Sequence, residues 1–205
     1  MRTAAAASRV GLDRARILEA AATIADDEGL DAVTVRRLAA ALGVHFSSLY
    51  THVAGKDAIL DGMVEQLMAE AAIPELLDWA GWVRSFAAAM RRLARDHPGA
   101  FMVLTRRPAV GPLATRQADS ALGAFRRAGF SIGDAAAAVA GTSLAVLGLA
   151  LNDCMSGPVG VPDMSHLSAD EFPNVMEASA LEAGSDATWE LMVDSLIAGL
   201  QSRLG

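Results

Sequence analysis

The chain has 205 residues and a net charge of −7, so it is long enough for one domain or two small ones with a sizeable core. This acidic balance argues against a protein that coats nucleic acid without regard to sequence. Hydrophobic residues make up 53% of the chain and aromatic residues only 5%, and the scarcity of β-branched runs favours an all-α fold.

Residues 1–11 are predicted to form a disordered arm, and their apolar run of four alanines is too short for a signal peptide. Asp13 can cap a first helix that runs to about Glu28, where Gly29 ends it. The inward residues of this helix are predicted to be Ile17, Leu18, Ala21, Ala22, Ile24 and Ala25. The helix is expected to support the elements that follow.

The stretch from Thr34 onward has the pattern of a helix-turn-helix. Thr34 can cap a short helix with apolar residues at the spacing i, i+3, i+4, i+7, namely Val35, Leu38, Ala39 and Leu42. Gly43 then supplies the left-handed residue that ends a helix. A second helix of about two turns is predicted from Phe46 to His52. Two short helices joined by a glycine turn present the second one to a DNA major groove.

The second helix and its flanks carry side chains that form hydrogen bonds, and none that is acidic. These residues are His45, Ser47, Ser48, Tyr50, Thr51 and His52. Hydroxyl, imidazole and phenol groups suit phosphate oxygens and base edges. Lys56, the only lysine of the chain, follows closely. On this pattern alone, an ordinary helical hairpin with a polar surface remains the alternative.

Three runs of landmarks carry a family resemblance: Thr34-x-Arg36-x-Leu38-Ala39-x3-Leu42-Gly43-Val44, Leu49-Tyr50-x-His52-Val53 and Lys56-x3-Leu60. With these landmarks, residues 13–68 resemble the DNA-binding domain of the TetR family of transcriptional repressors. The pattern is most similar to the tetracycline repressor subgroup. The resemblance implies an all-α protein with an N-terminal three-helix helix-turn-helix domain and a C-terminal helical domain for ligand binding and dimerisation.

The resemblance also implies roles for the exposed residues. Base reading is expected from Arg36, Phe46, Ser47, Ser48 and Thr51, and phosphate contacts from Thr34, Tyr50, His52 and Lys56, with His45 on the same surface. Arg36 can bond guanine, and Phe46 can touch a thymine methyl group. A two-fold dimer would hold two such helices about 34–36 Å apart, which predicts a near-palindromic operator.

Pro74 is predicted to begin a second domain. The predicted organisation is an arm at 1–11, a DNA-binding domain at 12–55, a connecting helix at 56–73, and a ligand-binding and dimerisation domain at 74–205. In this last region the first predicted helix contains Trp79, and a short helix contains Met102 and Val103. Longer helices are predicted at about 113–128, 131–155 and 186–204. A loop is predicted at 156–184, with a short helix near 169–181.

The predicted helix at 131–155 is apolar nearly all round, and the 17 residues from Ala135 to Leu151 carry no charge. This length is at the short limit for crossing a bilayer, so a buried bundle helix is favoured and no membrane contact is expected. The TetR resemblance implies that this helix and the last one pair with their twins in a homodimer, although a monomer core could also cover them. The predicted interface residues are Val139, Leu147, Trp189, Leu196 and Leu200.

The effector is not expected to be a magnesium–tetracycline chelate, despite the subgroup that the pattern resembles. The positions at which that subgroup holds drug and metal carry Val103, Asn152 and Phe86, and valine and phenylalanine cannot ligate a hard cation. An apolar, adaptable pocket for a bulky hydrophobic molecule is predicted instead. Its residues are Trp82, Phe86, Met90, Met102, Val103, Phe125 and Leu147, with Asn152 as polar anchor and Arg106 near the mouth. The alternative is that these side chains only fill a core.

No cluster of histidine, cysteine and carboxylate residues has metal-site spacing, so no metal, cofactor or enzymatic activity is expected. A single cysteine, Cys154, excludes an internal disulfide and predicts a reducing, cytoplasmic location. Two functions remain. The first is a dimeric repressor that binds a double-stranded DNA operator and responds to a small molecule. The second is a helix-turn-helix scaffold or ligand-binding protein that acts through protein contacts.

Overall fold

The computed structural model describes residues 12–75, 77–155, 167–168, 170–179 and 185–204. Every regular element in these ranges is a helix, which confirms the all-α prediction. The helices are α1 (Arg14–Glu28), α2 (Val35–Leu42), α3 (Phe46–Leu49), α4 (Lys56–Ala71), α5 (Trp79–Asp96), α6 (Pro98–Phe101), α7 (Val103–Arg106), α8 (Pro112–Arg127), α9 (Ile132–Met155), α10 (Pro173–Ser179) and α11 (Ser185–Gln201), with a 3₁₀ turn at Leu30–Ala32. The predicted arm at 1–11 and most of the predicted loop at 156–184 lie outside the described residues.

The chain forms two compact units. Among the described residues, the first unit contains residues 12–67 together with Gly99–Val110, and the second contains those between Met68 and Pro98 and those that follow from Gly111. The sequence predicted a boundary at Pro74 and assigned residues 99–110 to the second domain. The structure groups that segment with the helix-turn-helix, because hydrogen bonds and ion pairs attach it to α1 and α4.

Local capping in the first unit follows the sequence closely. The carboxylate of Asp13 accepts the backbone N–H of Arg16 over 2.8 Å, and the hydroxyl of Thr34 accepts that of Arg37 over 3.1 Å. Gly43 adopts the left-handed conformation, with φ 66° and ψ 33°, and ends α2. These three predictions are confirmed.

The helix after the turn is shorter than predicted. α3 ends at Leu49, and the carbonyl of Leu49 accepts the N–H groups of both His52 and Val53 over 3.0 Å. The backbone of Tyr50 is still helical, with φ −66° and ψ −15°, before the chain turns. The sequence predicted a helix to His52, whereas the structure has one turn of α-helix followed by a tight turn.

Apolar side chains from each of the first four helices are buried in the first unit. They include Ile17, Leu18, Ala21, Ile24, Leu38, Leu49, Ile59, Met63 and Val64. α4 lies against α1 at Gly62, where an added Cβ atom would come within 2.6 Å of a methyl carbon of Leu18. Of the inward residues predicted for α1 and α2, seven are buried and three are half-buried. The buried ones are Ile17, Leu18, Ala21, Ile24, Ala25, Leu38 and Ala39, and the half-buried ones are Ala22, Val35 and Leu42.

In the second unit, α9 packs against α5, α8 and α11. Aromatic side chains on or beside α5 and α8 form one connected cluster, in which the ring centroids of Trp79 and Trp82 lie 5.6 and 5.9 Å from that of Phe125. Phe130 extends the cluster, with its centroid 5.2 Å from that of Phe125. Phe86 stacks on Trp82, with centroids 5.2 Å apart and ring planes within 13° of parallel.

Only one face of α9 is buried in the chain. Ala135, Ala138, Thr142, Val146 and Ala150 are buried, whereas the opposite face is exposed. That exposed face consists of Ala136, Ala137, Ala140, Gly141, Leu144 and Gly148. Among the described residues, one helix, Ile132–Cys154, has the length and hydropathy of a membrane span (mean hydropathy 1.7), as core helices of soluble proteins also do. Burial on one side leaves a long apolar surface that the described part of the chain does not cover.

Candidate functional site

The start of α3 is ordered by His45. Its ring Nδ1 lies 2.7 Å from the hydroxyl oxygen of Ser47 and 3.4 Å from the backbone nitrogen of the same residue, so the imidazole caps the helix. The imidazole ring also lies against the ring of Phe46, with centroids 4.5 Å apart. These contacts order the start of α3, where Phe46 and Ser47 are exposed.

The residues predicted to bind DNA form an exposed surface on the first unit. Those that are exposed are Thr34, Arg36, His45, Phe46, Ser47, Tyr50, Thr51, His52 and Lys56, and Ser48 is half-buried. The hydroxyl of Thr51 donates to the carbonyl oxygen of Ser48 over 2.8 Å. This bond links the tight turn after α3 to the helix itself. The surface that residues 45–52 form contains no carboxylate.

The two neighbouring arginines of α2 differ in their partners. Arg37 forms an ion pair with Glu28 at the end of α1. Their hydrogen bond raises the pKa of Arg37 and lowers the pKa of Glu28. Arg36 is exposed, and nothing among the described residues forms a hydrogen bond or ion pair with it. Its five N–H donors are therefore available to an external acceptor.

Carboxylates near this surface are paired with arginines from the segment Gly99–Val110. Arg106 forms an ion pair with Asp31, and Arg107 forms ion pairs with Asp57 and, over 3.3 Å, with Asp61. The hydrogen bond from Arg106 lowers the pKa of Asp31, and the charges of Arg106 and Lys56 act in the same direction. Neutralised carboxylates oppose the approach of a polyanion less than free ones do.

The same segment is attached to α1 through its backbone. A carboxylate oxygen of Asp26 accepts the N–H groups of Gly99 and Ala100 over 2.9 and 2.8 Å. Neither Asp26 nor Asp31 was predicted from the sequence to be functional. The available signal was the Pro98-Gly99 break, which frees backbone amides for an outside acceptor.

The predicted pocket residues fall in both units. In the second unit, Trp82, Met90 and Phe125 are buried, Phe86 and Leu147 are half-buried, and Asn152 is exposed. Met102, Val103 and Arg106 belong to the first unit, and there Val103 is fully buried. Arg106, predicted near the mouth of the pocket, forms an ion pair with Asp31.

A surface hollow of about 430 Å³ lies elsewhere in the second unit. It is lined by Leu77, Asp78, Trp79, Ala124, Arg127 and Ala128, none of which was predicted to line the pocket. Across the ranges that the structure describes, no group of three or more histidine, cysteine, aspartate and glutamate residues could hold a metal ion.

The predicted dimer residues are unequally exposed. Val139, Leu147, Leu196 and Leu200 are half-buried. Trp189 is buried in its own chain, and the guanidinium carbon of Arg91 lies 4.7 Å from the centroid of its ring. Three residues that were not predicted to lie in the interface are more exposed, namely Leu144 at 73%, Leu191 at 66% and Met192 at 38%.

A cluster of charges joins α11 to α5 and α9. Asp153, whose side chain is 6% exposed, accepts a hydrogen bond from Arg91 Nε over 2.9 Å and one from Arg95 Nε over 3.2 Å. Asp186 in the first turn of α11 pairs with the same two arginines over 2.7 and 3.1 Å. Arg95 first, and then Arg91, lowers the pKa of Asp186. This cluster was not predicted, because its members are far apart along the chain.

Comparisons with known proteins agree with this architecture. A family model described as "Bacterial regulatory proteins, tetR family" matches residues 17–63, and one described as "Tetracyclin repressor-like, C-terminal domain" matches residues 73–204. The chain is similar to a protein named "HTH-type transcriptional regulator" from Saccharopolyspora erythraea, with 34% identity over 67% of this chain. The chain spans only 59% of the length of that relative.

Two further relatives match over nearly the whole chain. Tetracycline repressor protein class A from transposon 1721 of Escherichia coli is 31% identical over 91% of this chain and 89% of its own length. The Streptomyces coelicolor protein ActR, solved in complex with actinorhodin, has a TM-score of 0.81 and 29% identity. That similarity covers 95% of this chain and 99% of the other.

Proposed function

The chain belongs to the TetR family of bacterial regulatory proteins, and from this premise we propose that it is a transcriptional repressor. In the proposal it acts in the cytoplasm, binds a near-palindromic DNA operator as a homodimer, and is released by a small, largely apolar effector. The observation that carries the proposal is the exposed surface around α3, where residues 45–52 present hydrogen-bonding groups and no carboxylate, with Arg36 and Lys56 exposed on either side in the sequence.

The proposed contacts with DNA divide into two classes. Arg36, Phe46, Ser47, Ser48 and Thr51 read base edges in the major groove. Thr34, Tyr50, His52 and Lys56 lie around them and bind backbone phosphates, and His45 belongs to the same surface. Lys56 is the first residue of α4, so its ammonium group and the free N–H groups of that helix end favour the same anion.

The proposed dimer uses the faces of α9 and α11 that the chain leaves uncovered. Leu144, Leu191 and Met192 are large apolar side chains in water, and the glycines and alanines of α9 allow a second helix to approach closely. A two-fold arrangement would bury these faces against their twins. Val139, Leu147, Leu196 and Leu200, all half-buried, would lie at the edge of the same contact.

The proposed effector is bulky and mostly apolar. The half-buried ring of Phe86, stacked on Trp82, offers a flat apolar wall in the second unit. ActR, to which the chain is similar, was solved with actinorhodin, so a ligand other than a tetracycline chelate has a precedent among the similar proteins. Val103, Asn152 and Phe86 stand where the tetracycline repressor subgroup holds its drug and metal, and two of these side chains cannot coordinate Mg²⁺.

A gel-shift titration tests the repressor proposal. The probe is the duplex that flanks the protein's own gene, with an excess of unrelated duplex as competitor. A complex that survives the competitor, and that contains two protomers per operator by mass, supports the proposal. The proposal is contradicted if the unrelated duplex completely displaces the protein from every flanking fragment. That result would favour a scaffold that acts through protein contacts.

A further inference from the structure

Phe46 is an exposed aromatic side chain among polar neighbours. It is the first residue of α3 and 49% exposed, although a phenylalanine ring gains free energy when it leaves water. Ser47 and Tyr50 beside it are exposed as well but carry hydroxyl groups that water can solvate. A contact that covers the exposed half of this ring would therefore be favourable.

The ring of Phe46 is also held in place. Its centroid lies 4.5 Å from that of His45, with 35° between the ring planes. His45 in turn is fixed by Ser47, whose hydroxyl oxygen lies 2.7 Å from Nδ1. Such contacts restrict the rotation of the Phe46 side chain before any ligand arrives, which lowers the entropic cost of an ordered contact.

We propose that Phe46 reads the C5-methyl group of a thymine in each operator half-site, and that His45 is the positioning residue for its ring. A phenylalanine ring has no hydrogen-bonding group, and the thymine methyl is the apolar feature of a base pair in the major groove. The second helix of a helix-turn-helix enters that groove with its N-terminal residues on the base edges, and Phe46 is the first residue of that helix. The inference rests on the proposed DNA-binding function and adds a base preference to it.

The test starts from the operator that wild-type protein selects from a random duplex library. Each thymine of this operator is replaced, one symmetric pair at a time, by deoxyuracil, which lacks only the methyl group. Affinity is measured by fluorescence anisotropy. Removal of one buried methyl group should weaken wild-type binding about four-fold per half-site, and so about fifteen-fold when both half-sites are changed.

The variants separate Phe46 from its neighbours. Phe46→Ala should bind the thymine and deoxyuracil operators equally at that position. Lys56→Ala is the control, because the loss of a proposed phosphate contact should weaken binding to both operators alike and keep the wild-type ratio. His45→Asn keeps a capping side chain but loses the ring, so it should lower the thymine-to-deoxyuracil ratio without lowering the melting temperature. A purely structural role of His45 would move the melting temperature and leave the ratio unchanged.

Three outcomes would overturn the inference. They are a selected operator without thymine near the α3 contact, a wild-type affinity that no deoxyuracil replacement changes, and a Phe46→Ala variant that keeps the ratio. In each of them the protein still binds duplex DNA specifically, so the proposed function stands. If wild-type protein selects no sequence at all, the proposed function fails and this inference fails with it.

Discussion

Gly99 packs against α1 so closely that a Cβ atom added to it would overlap the carbonyl oxygen of Ala25. The next residue of α1, Asp26, accepts the backbone N–H groups of Gly99 and Ala100. Backbone atoms of both segments therefore make this contact, and the hydrogen bonds to the Asp26 carboxylate lie beside it. Gly99 begins the segment Gly99–Val110, which belongs to the first unit. The residues on either side of this segment, Pro98 and Gly111, belong to the second unit, so the chain passes between the two units at both ends of the segment.

The first prediction concerns this contact. Gly99→Ala should destabilise the protein by about 1–3 kcal/mol, because the backbone of α1 cannot move aside as a flexible side chain would. Urea unfolding measures the change. Gly133→Ala is the matched control, because its added Cβ would meet only the hydroxyl oxygen of Ser131 at 3.9 Å. Equal stability of the two variants would contradict the close contact.

The second prediction concerns the carboxyl group of Asp31, whose pKa is lowered by Arg106. A lowered folded-state pKa contributes stability above the ordinary pKa of about 4, and that contribution is lost as the pH falls through the folded value. Arg106→Gln should return the pKa of Asp31 toward its ordinary value and remove this part of the acid dependence. Carbon NMR titration of the Asp31 carboxyl measures it. An unchanged titration in the variant would show that the ion pair does not form in solution.

The third prediction concerns the charge at the start of α4. Lys56→Ala should weaken binding to all DNA sequences and reduce the slope of log affinity against log salt by about 0.9 for each phosphate that the protein no longer neutralises. Lys56→Arg, which keeps the charge, should retain the slope. Titrations at four salt concentrations measure both variants. A Lys56→Ala slope equal to that of the wild type would place this residue outside the interface.

The fourth prediction concerns the uncovered face of α9. Leu144 is 73% exposed in the single chain, so Leu144→Glu should leave a monomer almost unchanged. In the proposed dimer the same change buries unpaired charges and should abolish dimerisation and operator binding together, as a charge at Leu147 or Leu196 should. Sedimentation equilibrium measures the association. Val110→Glu is the control, because Val110 is 61% exposed in the first unit, and this variant should remain dimeric.

The fifth prediction concerns the effector. Tetracycline with Mg²⁺ should leave the melting temperature unchanged, because no cation ligands replace the missing ones at Val103 and Phe86. Actinorhodin is the first probe to test, because the similar protein ActR was solved with it, and it should raise the melting temperature and release the operator. Phe86→Ala should reduce that response, whereas Phe172→Ala, which removes a ring outside the predicted pocket, should preserve it. A rise with tetracycline that requires Mg²⁺ would reject the prediction.

Features that depend on neighbours in sequence were predictable. The caps at Asp13 and Thr34 and the left-handed turn at Gly43 each follow from a few consecutive residues, and all three are present. The length of α3 was not predictable in this way. The choice between a second helical turn and a tight turn after Leu49 depends on how the chain enters α4.

Features that join remote segments were not predictable from local patterns. Asp26 with Gly99, Asp31 with Arg106, and Asp153 with its two arginines are pairs separated by 58 to 75 positions. A helix that is apolar all round, such as α9, also carries no signal for which face meets its own chain. On α11, Trp189 was assigned to the dimer face because it shares one apolar stripe with Leu196 and Leu200, and in the structure it is buried within its own chain beside Arg91.

The presence of a single lysine gives the start of α4 a chemical consequence of its own. Acetylation, or any amine-directed acyl label on a side chain, has one possible target in this chain, the exposed Lys56. Such a modification would remove one positive charge at one known place and leave all sixteen arginines unchanged. If DNA covers Lys56 in the complex, as proposed, the fraction of protein acylated at this side chain would report the fraction of protein that is not bound to DNA.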